Sequence, residues 1–383
     1  MTPASAIISI IAYIKAHPLI ARQVSNFFAH TVKMYKLRYL VISLSLFLII
    51  GDVQGFCQLT QTNTWTDRIF AHSVNNHYEL LLTDRLEINQ QISLLCGGNQ
   101  AVFNTTCQKN GKFNPQLPKA NCTKAIPPSV VPASSSICAH TMYHVGFWFG
   151  KTFMELYRNC YAANTMTAFF SISTVYPTYL NSLRPPTAFD QDGLISAADA
   201  ASFQMSSIYN RFVYLFGSGQ PYIASPQSLS FDRGHLTPVA DYTFPNVLRQ
   251  TNKYLNVVPQ FYSINRSNWK IVENWVRDQK QVLNVCTGAL GVLELGNTQI
   301  YLAPGKNPVP RWTYKIVHRA NTSQKYVILT SNNGWETQMP NPASVCKVIA
   351  CPSSLKPTGT GFTFCCDPID FINRNVPNLR GSC

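Results

Sequence analysis

The chain has 383 residues, 46% of them hydrophobic and 13% charged, enough for one α/β domain with an appendage or for two or three domains, so a core too small to fold is excluded. With 31 basic residues against 17 acidic ones, the net charge of +14 favours polyanionic partners: nucleic acid, heparin-like polymers or an anionic membrane surface. Charge alone does not choose among these.

In chain order, the first predicted element is a secretory signal from Met34 to Gly55, with Lys33, Lys36 and Arg38 as the basic region, Leu40 to Ile50 as the apolar region, and Val53 and Gly55 as small residues at a cleavage site. The mature chain would begin near Phe56. Five basic residues and one acidic leave with the signal, so the mature chain keeps a net charge of +10. An apolar run of about eleven residues falls short of the roughly 20 that span a bilayer, so no membrane anchor is expected after cleavage. Upstream, Ala6 to Ile14 forms a second weak apolar stretch, read as an extension with initiation at Met34. A mitochondrial presequence is the alternative, and the cysteines speak against it.

All 12 cysteines lie beyond the cleavage site, an even number in a chain read as exported, and disulfides are the natural reading. Zinc competes for Cys346, Cys351, Cys365 and Cys366, but their spacings lack the paired C-x2-C rhythm. Glycosylation sequons at Asn104, Asn121 and Asn321 agree with export.

From Phe56 to about Pro128, short apolar runs broken by Gly97-Gly98, Asn110-Gly111 and Asn114-Pro115 carry four cysteines and predict a small disulfide-stapled β module. The stretch Pro127 to Ser136 reads as a linker. Beyond it, Val145 to Phe149, Ala168 to Tyr176, Val257-Val258 and Tyr326 to Thr330 read as strands of a mixed sheet, and Ala197 to Tyr214 as helical. The clearest helix is Asn268 to Leu283, with Ile271, Val272, Trp275, Val276, Gln279, Val282 and Leu283 on one face and Lys270, Glu273, Arg277 and Lys280 on the other. Cys346 to Cys383 is loop-rich and reads as a tail wrapped under disulfide control.

One stretch concentrates the chemistry. Hydrolysing a phosphodiester needs a base for water, a cation for the developing charge and groups that hold the backbone. His235 supplies a base that titrates near working pH, and the preceding Asp232-Arg233-Gly234 sets it beside a charged pair and a flexible turn. Asn265, Glu273 and Arg277 can line one helix face. Each has a plainer reading, as a helix cap for Asn265 and a surface ion pair for Glu273 with Arg277. A neutral amide as sole protein ligand leaves Mg²⁺ most of its waters, and no dense carboxylate cluster surrounds it, which argues against a two-metal site.

The run D-R-G-H at Asp232 to His235, N-V-V-P-Q at Asn256 to Gln260, and N-x3-W-x3-E-x3-R at Asn265, Trp269, Glu273 and Arg277 resembles the DNA/RNA non-specific endonuclease family, whose core is the ββα-metal finger. The specific similarity covers about residues 141–345, and the whole mature chain is similar to the secreted arthropod deoxyribonucleases of that family. The resemblance implies His235 as general base, Asn265 as the protein ligand of Mg²⁺ (with Mn²⁺ as substitute), Glu273 as the residue orienting the metal's water, and a further site role for Arg277. It places Asp232 and Arg233 in the catalytic motif, and implies Asn256 as support for the catalytic loop, grouped with the substrate-binding residues. An arginine on substrate phosphate is also implied, with Arg184 and then Arg211 as candidates.

The expected fold is α+β: a mixed β-sheet core with a ββα-metal finger site, a small disulfide-rich N-terminal β module and a disulfide-clamped C-terminal tail. The division is 1–55 extension and signal, 56–135 cysteine-rich module, and 136–383 endonuclease domain with tail. The function implied is a secreted Mg²⁺-dependent endonuclease acting on DNA, with RNA as a further substrate, with little sequence preference. A non-catalytic polyanion-binding protein on the same scaffold, or a mitochondrial member of the family, is the alternative.

Overall fold

The computed structural model describes residues 55–383 apart from 76, 99–100 and 182–187. The expected signal, the upstream extension and Arg184 therefore lie outside the described residues. From Phe56 to Cys383 the chain forms one compact unit.

Its frame is a nine-stranded sheet built from β1 (Pro128–Ala133), β2 (Thr141–Phe149), β3 (Thr152–Ala162), β4 (Thr167–Val175), and, after a long excursion that includes the hairpin strands β5 (Phe231–His235) and β6 (Val257–Phe261), from β7 (Leu283–Val292), β8 (Pro310–Arg319), β9 (Lys325–Ser331), β10 (Val348–Ile349) and β11 (Thr363–Cys366). The spatial order is β10-β11-β9-β8-β7-β4-β3-β2-β1. The α+β class expected from sequence is what the chain adopts. The sheet, expected to be mixed, is antiparallel at every pairing, because β2, β3 and β4 follow one another through tight turns and β8 returns directly to β9. A parallel contact occurs only as the isolated bridge Asp190 to Lys253 among the described residues.

Strand β1 replaces the linker expected between Pro127 and Ser136. Val130 and Val131 pair with Val145 and His144 of β2, and Pro128 and Pro132 are tolerated because the strand sits at the sheet edge. The large sheet thus begins earlier in the chain than the boundary placed at 136.

The N-terminal module is a five-stranded sheet running His77–Leu80, Ile69–Val74, Gln91–Leu95, Phe103–Cys107 and Phe113–Asn114. Disulfides Cys57–Cys107 and Cys96–Cys122 staple it. So small a sheet buries little by itself. Phe70 stacks on Phe244 at 4.8 Å between ring centroids and Tyr78 meets Phe149 edge-on at 5.3 Å, so its core is continuous with that of the larger sheet.

Between β4 and β7 the chain leaves the sheet and returns. This excursion carries α1 (Ala197–Ala201), α2 (Met205–Phe216), the two-stranded hairpin of β5 and β6, and α3 (Lys270–Asp278). Ser196 and Asp199 form a capping box that starts α1. On α3, Val272, Trp275 and Val276 are buried against Val285, Val317 and Ile328 of the sheet, which leaves the opposite face outward. The helix expected over 268–283 is shorter at its end and differently built at its start. Tyr262–Ile264 leads into a wide turn, Asn265–Trp269, kinked at Ser267 (φ −117°, ψ −108°), before α3 proper. At the far end Lys280 turns left-handed (φ 50°), and Leu283 already belongs to β7.

The tail is more regular than a loop. β11 extends the sheet beside β9, and α4 (Pro368–Asn375) packs Phe371 under Tyr314. Cys346–Cys366, Cys351–Cys365 and Cys286–Cys383 close it, Cys138–Cys160 joins β3 to the loop before β2, and these pairings leave no thiolates for zinc. Among the described residues no helix is long and apolar enough to cross a membrane.

Candidate active site

The hairpin of β5 and β6 presents the D-R-G-H run on its first strand, with Asp232 opposite Gln260 and His235 opposite Val257. A Cβ on Gly234 would lie 2.5 Å from Gln260 Oε1 and 2.6 Å from its Cβ. Glycine is required there for a close approach between strands, and the flexible turn expected at this position is instead extended strand. His235 closes the strand with Nε2 2.9 Å from Oδ1 of Asn252. That oxygen can only accept, so Nε2 donates and the neutral imidazole carries its lone pair on Nδ1. The Phe189 ring lies 5.4 Å from the imidazole centroid to centroid. Its segment is stitched to that of Asn252 by Asp190 N–H to the Asn252 carbonyl (2.9 Å) and Tyr254 N–H to the Asp190 carbonyl (3.0 Å).

Asn256 holds the loop that follows His235. Its amide accepts from Thr237 N–H (3.0 Å) and donates to the carbonyls of Thr237 (3.0 Å) and Thr251 (2.9 Å), with Asn159 donating to its Oδ1 at 3.2 Å. Fully buried, it does not reach the cleft surface, which corrects its grouping with substrate contacts and leaves it as loop support.

Asn265 opens the wide turn after β6. Its Nδ2 donates to Asp232 Oδ2 at 3.0 Å, and Arg266 grips the same carboxylate with two bonds, Nε to Oδ2 at 2.9 Å and Nη2 to Oδ1 at 2.8 Å. Asp232 thereby fixes the amide's orientation and leaves its oxygen as the group a hard cation would take. A single amide oxygen as protein donor is compatible with a hard cation that keeps most of its waters, and among the described residues no group of three or more His, Cys, Asp or Glu that could hold a metal is found.

On α3, Lys270, Glu273 and Arg277 face the same cleft, of about 600 Å³, as Phe189, Asp232, Arg233, His235 and Asn265. Arg277 donates from Nη1 to Asp241 Oδ1 at 2.9 Å and from Nη2 to Asn274 at 2.6 Å, which ties the helix to the loop after His235. Behind the helix, Lys315 of β8 is wholly buried, donates to Thr287 Oγ1 at 2.7 Å and lies 5.2 Å from the Trp269 ring centre. Burial pushes its pKa below the usual lysine range, and the carboxylates of Glu273 and Asp241 oppose that shift. Arg233 is enclosed by aromatic rings, its guanidinium carbon 4.8 Å from the centre of Phe189 and 5.7 Å from those of Phe203 and Tyr254, and its buried Nε has no hydrogen-bond partner in the protein.

Asp232, Arg233, His235, Asn265, Glu273 and Arg277 thus come to one cleft. Arg211 does not, because its Nε donates to the Tyr301 carbonyl (2.9 Å) and its guanidinium faces Tyr214, which corrects its candidacy as a phosphate contact. Asn252, Phe189, Arg266, Lys270 and Asp241 also build the site and were not singled out in the sequence. Only Arg266 and Lys270 carried a signal, a basic residue beside the proposed ligand and one on the outward helix face. The partners of the other residues lie far off in sequence.

A model of the DNA/RNA non-specific endonuclease family matches residues 139–371. A salivary endonuclease of Lutzomyia longipalpis is 29% identical over 309 residues, which cover 76% of this chain and 74% of that protein. A chain in the crystal structure of the EndoG/EndoGI complex, described for the mechanism of EndoG inhibition, is 18% identical, with 49% of this chain and 76% of that chain covered at a TM-score of 0.35.

Proposed function

The chain belongs to the DNA/RNA non-specific endonuclease family and is a nuclease, and from that premise we propose a secreted Mg²⁺-dependent endonuclease that cleaves DNA, and RNA as a second substrate, with little sequence preference. The observation that carries this reading is the pairing of His235 and Asn265 across one ββα unit, both on the cleft and both anchored, His235 through Asn252 and Asn265 through Asp232.

In this reading His235 is the general base. With Nε2 held by Asn252, Nδ1 takes a proton from the water that attacks phosphorus in line. Asn265 would hold a Mg²⁺ ion through its amide oxygen, and that ion would supply stabilisation of negative charge at the leaving 3′ oxygen. Glu273 orients water from the helix face. Lys270 and the Arg233 guanidinium, both lining the cleft, offer positive charge to non-bridging phosphate oxygens. Arg277, paired with Asp241, keeps the His235 loop in register with α3. Expulsion of the 3′ oxygen leaves 5′-phosphate and 3′-hydroxyl ends.

Six disulfides, exposed sequon asparagines at 104, 121 and 321, and the likeness to a salivary endonuclease support secretion. The division into a module from 56 and an endonuclease domain is part of the same proposal, with the boundary drawn before β1. Incubating the purified chain with supercoiled plasmid, linear duplex and RNA, each with Mg²⁺ and with chelator, tests it. Nicking only with metal, and ends that ligate without added phosphate, are expected. Cleavage that persists in chelator would overturn the metal assignment.

A further inference from the structure

Three consecutive residues of the N-terminal module grip the segment that leaves β4. Thr83 Oγ1 donates to the Pro177 carbonyl at 2.9 Å, and the carboxylate of Asp84, fully buried, accepts the backbone N–H of Tyr179 at 2.9 Å and that of Leu180. Arg85 then lays its guanidinium on the Tyr179 ring, 3.2 Å from the centroid, with Phe56 at 4.5 Å, while its Nε donates to Gln58 Oε1 at 2.9 Å. Lys280, at the end of α3, donates to the Thr178 carbonyl at 2.7 Å and sits 5.2 Å from the same ring.

This arrangement is more than a staple between parts of the chain. Asp84 turns its charge inward onto two N–H groups, so the outward charge is that of Arg85 and Lys280. The Arg85 guanidinium is fixed in plane by stacking and by Gln58, and among the described residues its terminal nitrogens have no hydrogen-bond acceptor, which leaves a rigid fork of the kind that binds phosphate. Tyr179 is 46% exposed although its backbone is tied down. Lys280 stands two residues beyond α3, whose outward face carries Lys270, Glu273 and Arg277, so the cluster lies past the C-terminal end of the face that lines the cleft.

We propose that Arg85, Tyr179 and Lys280 form a second nucleic-acid subsite, in which the two cations hold backbone phosphate of the strand leaving the cleft and the Tyr179 ring meets the adjoining nucleotide. The N-terminal module then serves substrate binding. The inference rests on the nuclease reading and names where the substrate runs.

The test compares the wild-type protein with Arg85→Gln/Lys280→Gln and with Lys280→Glu alone, a change at an exposed side chain, with the melting temperature of each variant measured alongside. Binding of a fluorescent duplex in chelator, across a salt series, should weaken about tenfold, with a log–log salt slope shallower by about one to two. With Mg²⁺, KM on long duplex should rise by a similar factor at unchanged kcat, and cleavage of a trinucleotide should not change. Unaltered binding and KM would overturn the subsite, as would equal losses on long and short substrates accompanied by a lower melting temperature, the signature of a structural staple. A wild-type protein that binds duplex and cleaves nothing would sink the nuclease reading, while the binding series still decides the subsite.

Discussion

Arg277 and Asp241 form a nearly buried ion pair, with Nη1 2.9 Å from Oδ1 and side chains 16% and 4% exposed. The pair joins the outward face of α3 to the loop that follows His235, so it is a joint of the site as much as a contact. Removing one partner strands the other charge out of water. Arg277→Ala should cost about 3–5 kcal/mol of stability, the usual penalty for an uncompensated buried charge, and should lower activity with it. Adding Asp241→Asn should restore most of the stability in denaturant melts. Full recovery of activity in that double variant would show that Arg277 has no role beyond the pair.

His235→Ala should leave folding intact, since the imidazole stands at the end of β5 in an open cleft, and should lower turnover by about 10²–10⁴. Asn252→Ala should reduce kcat by a smaller factor with KM little changed, because it removes the hydrogen bond on Nε2 without removing the base. Plasmid nicking by correctly melting protein decides both. Near-normal turnover in His235→Ala would end its role as base.

Lys315 gives a prediction in pH. Its folded pKa is lowered by burial from the ordinary value near ~10.4, so the unfolded chain binds more protons between the two. Stability from this group is complete above the ordinary value and is lost as pH falls through the lowered one, so protonating the buried Lys315 amine costs stability. Lys315→Met should therefore melt at the same or a higher temperature at pH 7 and lose the alkaline rise. Activity should fall nonetheless, because the buried amine behind Glu273 is gone. A lower melting temperature with unchanged activity would show that the lysine is purely structural.

What the sequence disclosed about the site was what its chemistry keeps local. His235 follows Asp232 by three residues on one strand, and Asn265, Glu273 and Arg277 recur at helical spacing, so their common cleft could be read from spacing and resemblance. The groups that hold them could not. Arg266 reaches Asp232 across a hairpin, Asn252 reaches His235 from a separate turn, and Lys315 comes from a strand behind the helix, pairings that only the folded chain brings together. Element ends failed for a related reason. Val282 and Leu283 fit the apolar helical stripe, yet the left-handed turn at Lys280 delivers Leu283 to β7, where it pairs with Val175 and Arg319. Pro128 and Pro132 signalled a linker because edge position, which makes proline harmless in a sheet, is a tertiary property.

The final prediction concerns Asn265-Arg266-Ser267, which is both the proposed metal-binding turn and a glycosylation sequon. The fold makes the two uses incompatible. Asn265 Nδ2, the atom a glycan would occupy, donates to Asp232. Ser267 Oγ accepts Thr360 N–H at 2.8 Å, and a Cβ added at Gly359 would collide with that hydroxyl, so the tail covers the sequon's serine. Asn268 fastens the tail further, accepting from Gly359 N–H at 2.7 Å and donating to its carbonyl at 3.0 Å. Disulfides Cys346–Cys366 and Cys351–Cys365 hold the tail in turn. Active, secreted protein should therefore carry glycans at some of the exposed Asn104, Asn121 and Asn321, with Asn265 unmodified. Asn265→Ala should abolish most Mg²⁺-dependent cleavage while the duplex still binds in chelator. Peptide mass mapping of the active fraction checks the first half, and high glycan occupancy on the Asn265 peptide in protein of full activity would remove that residue as metal ligand.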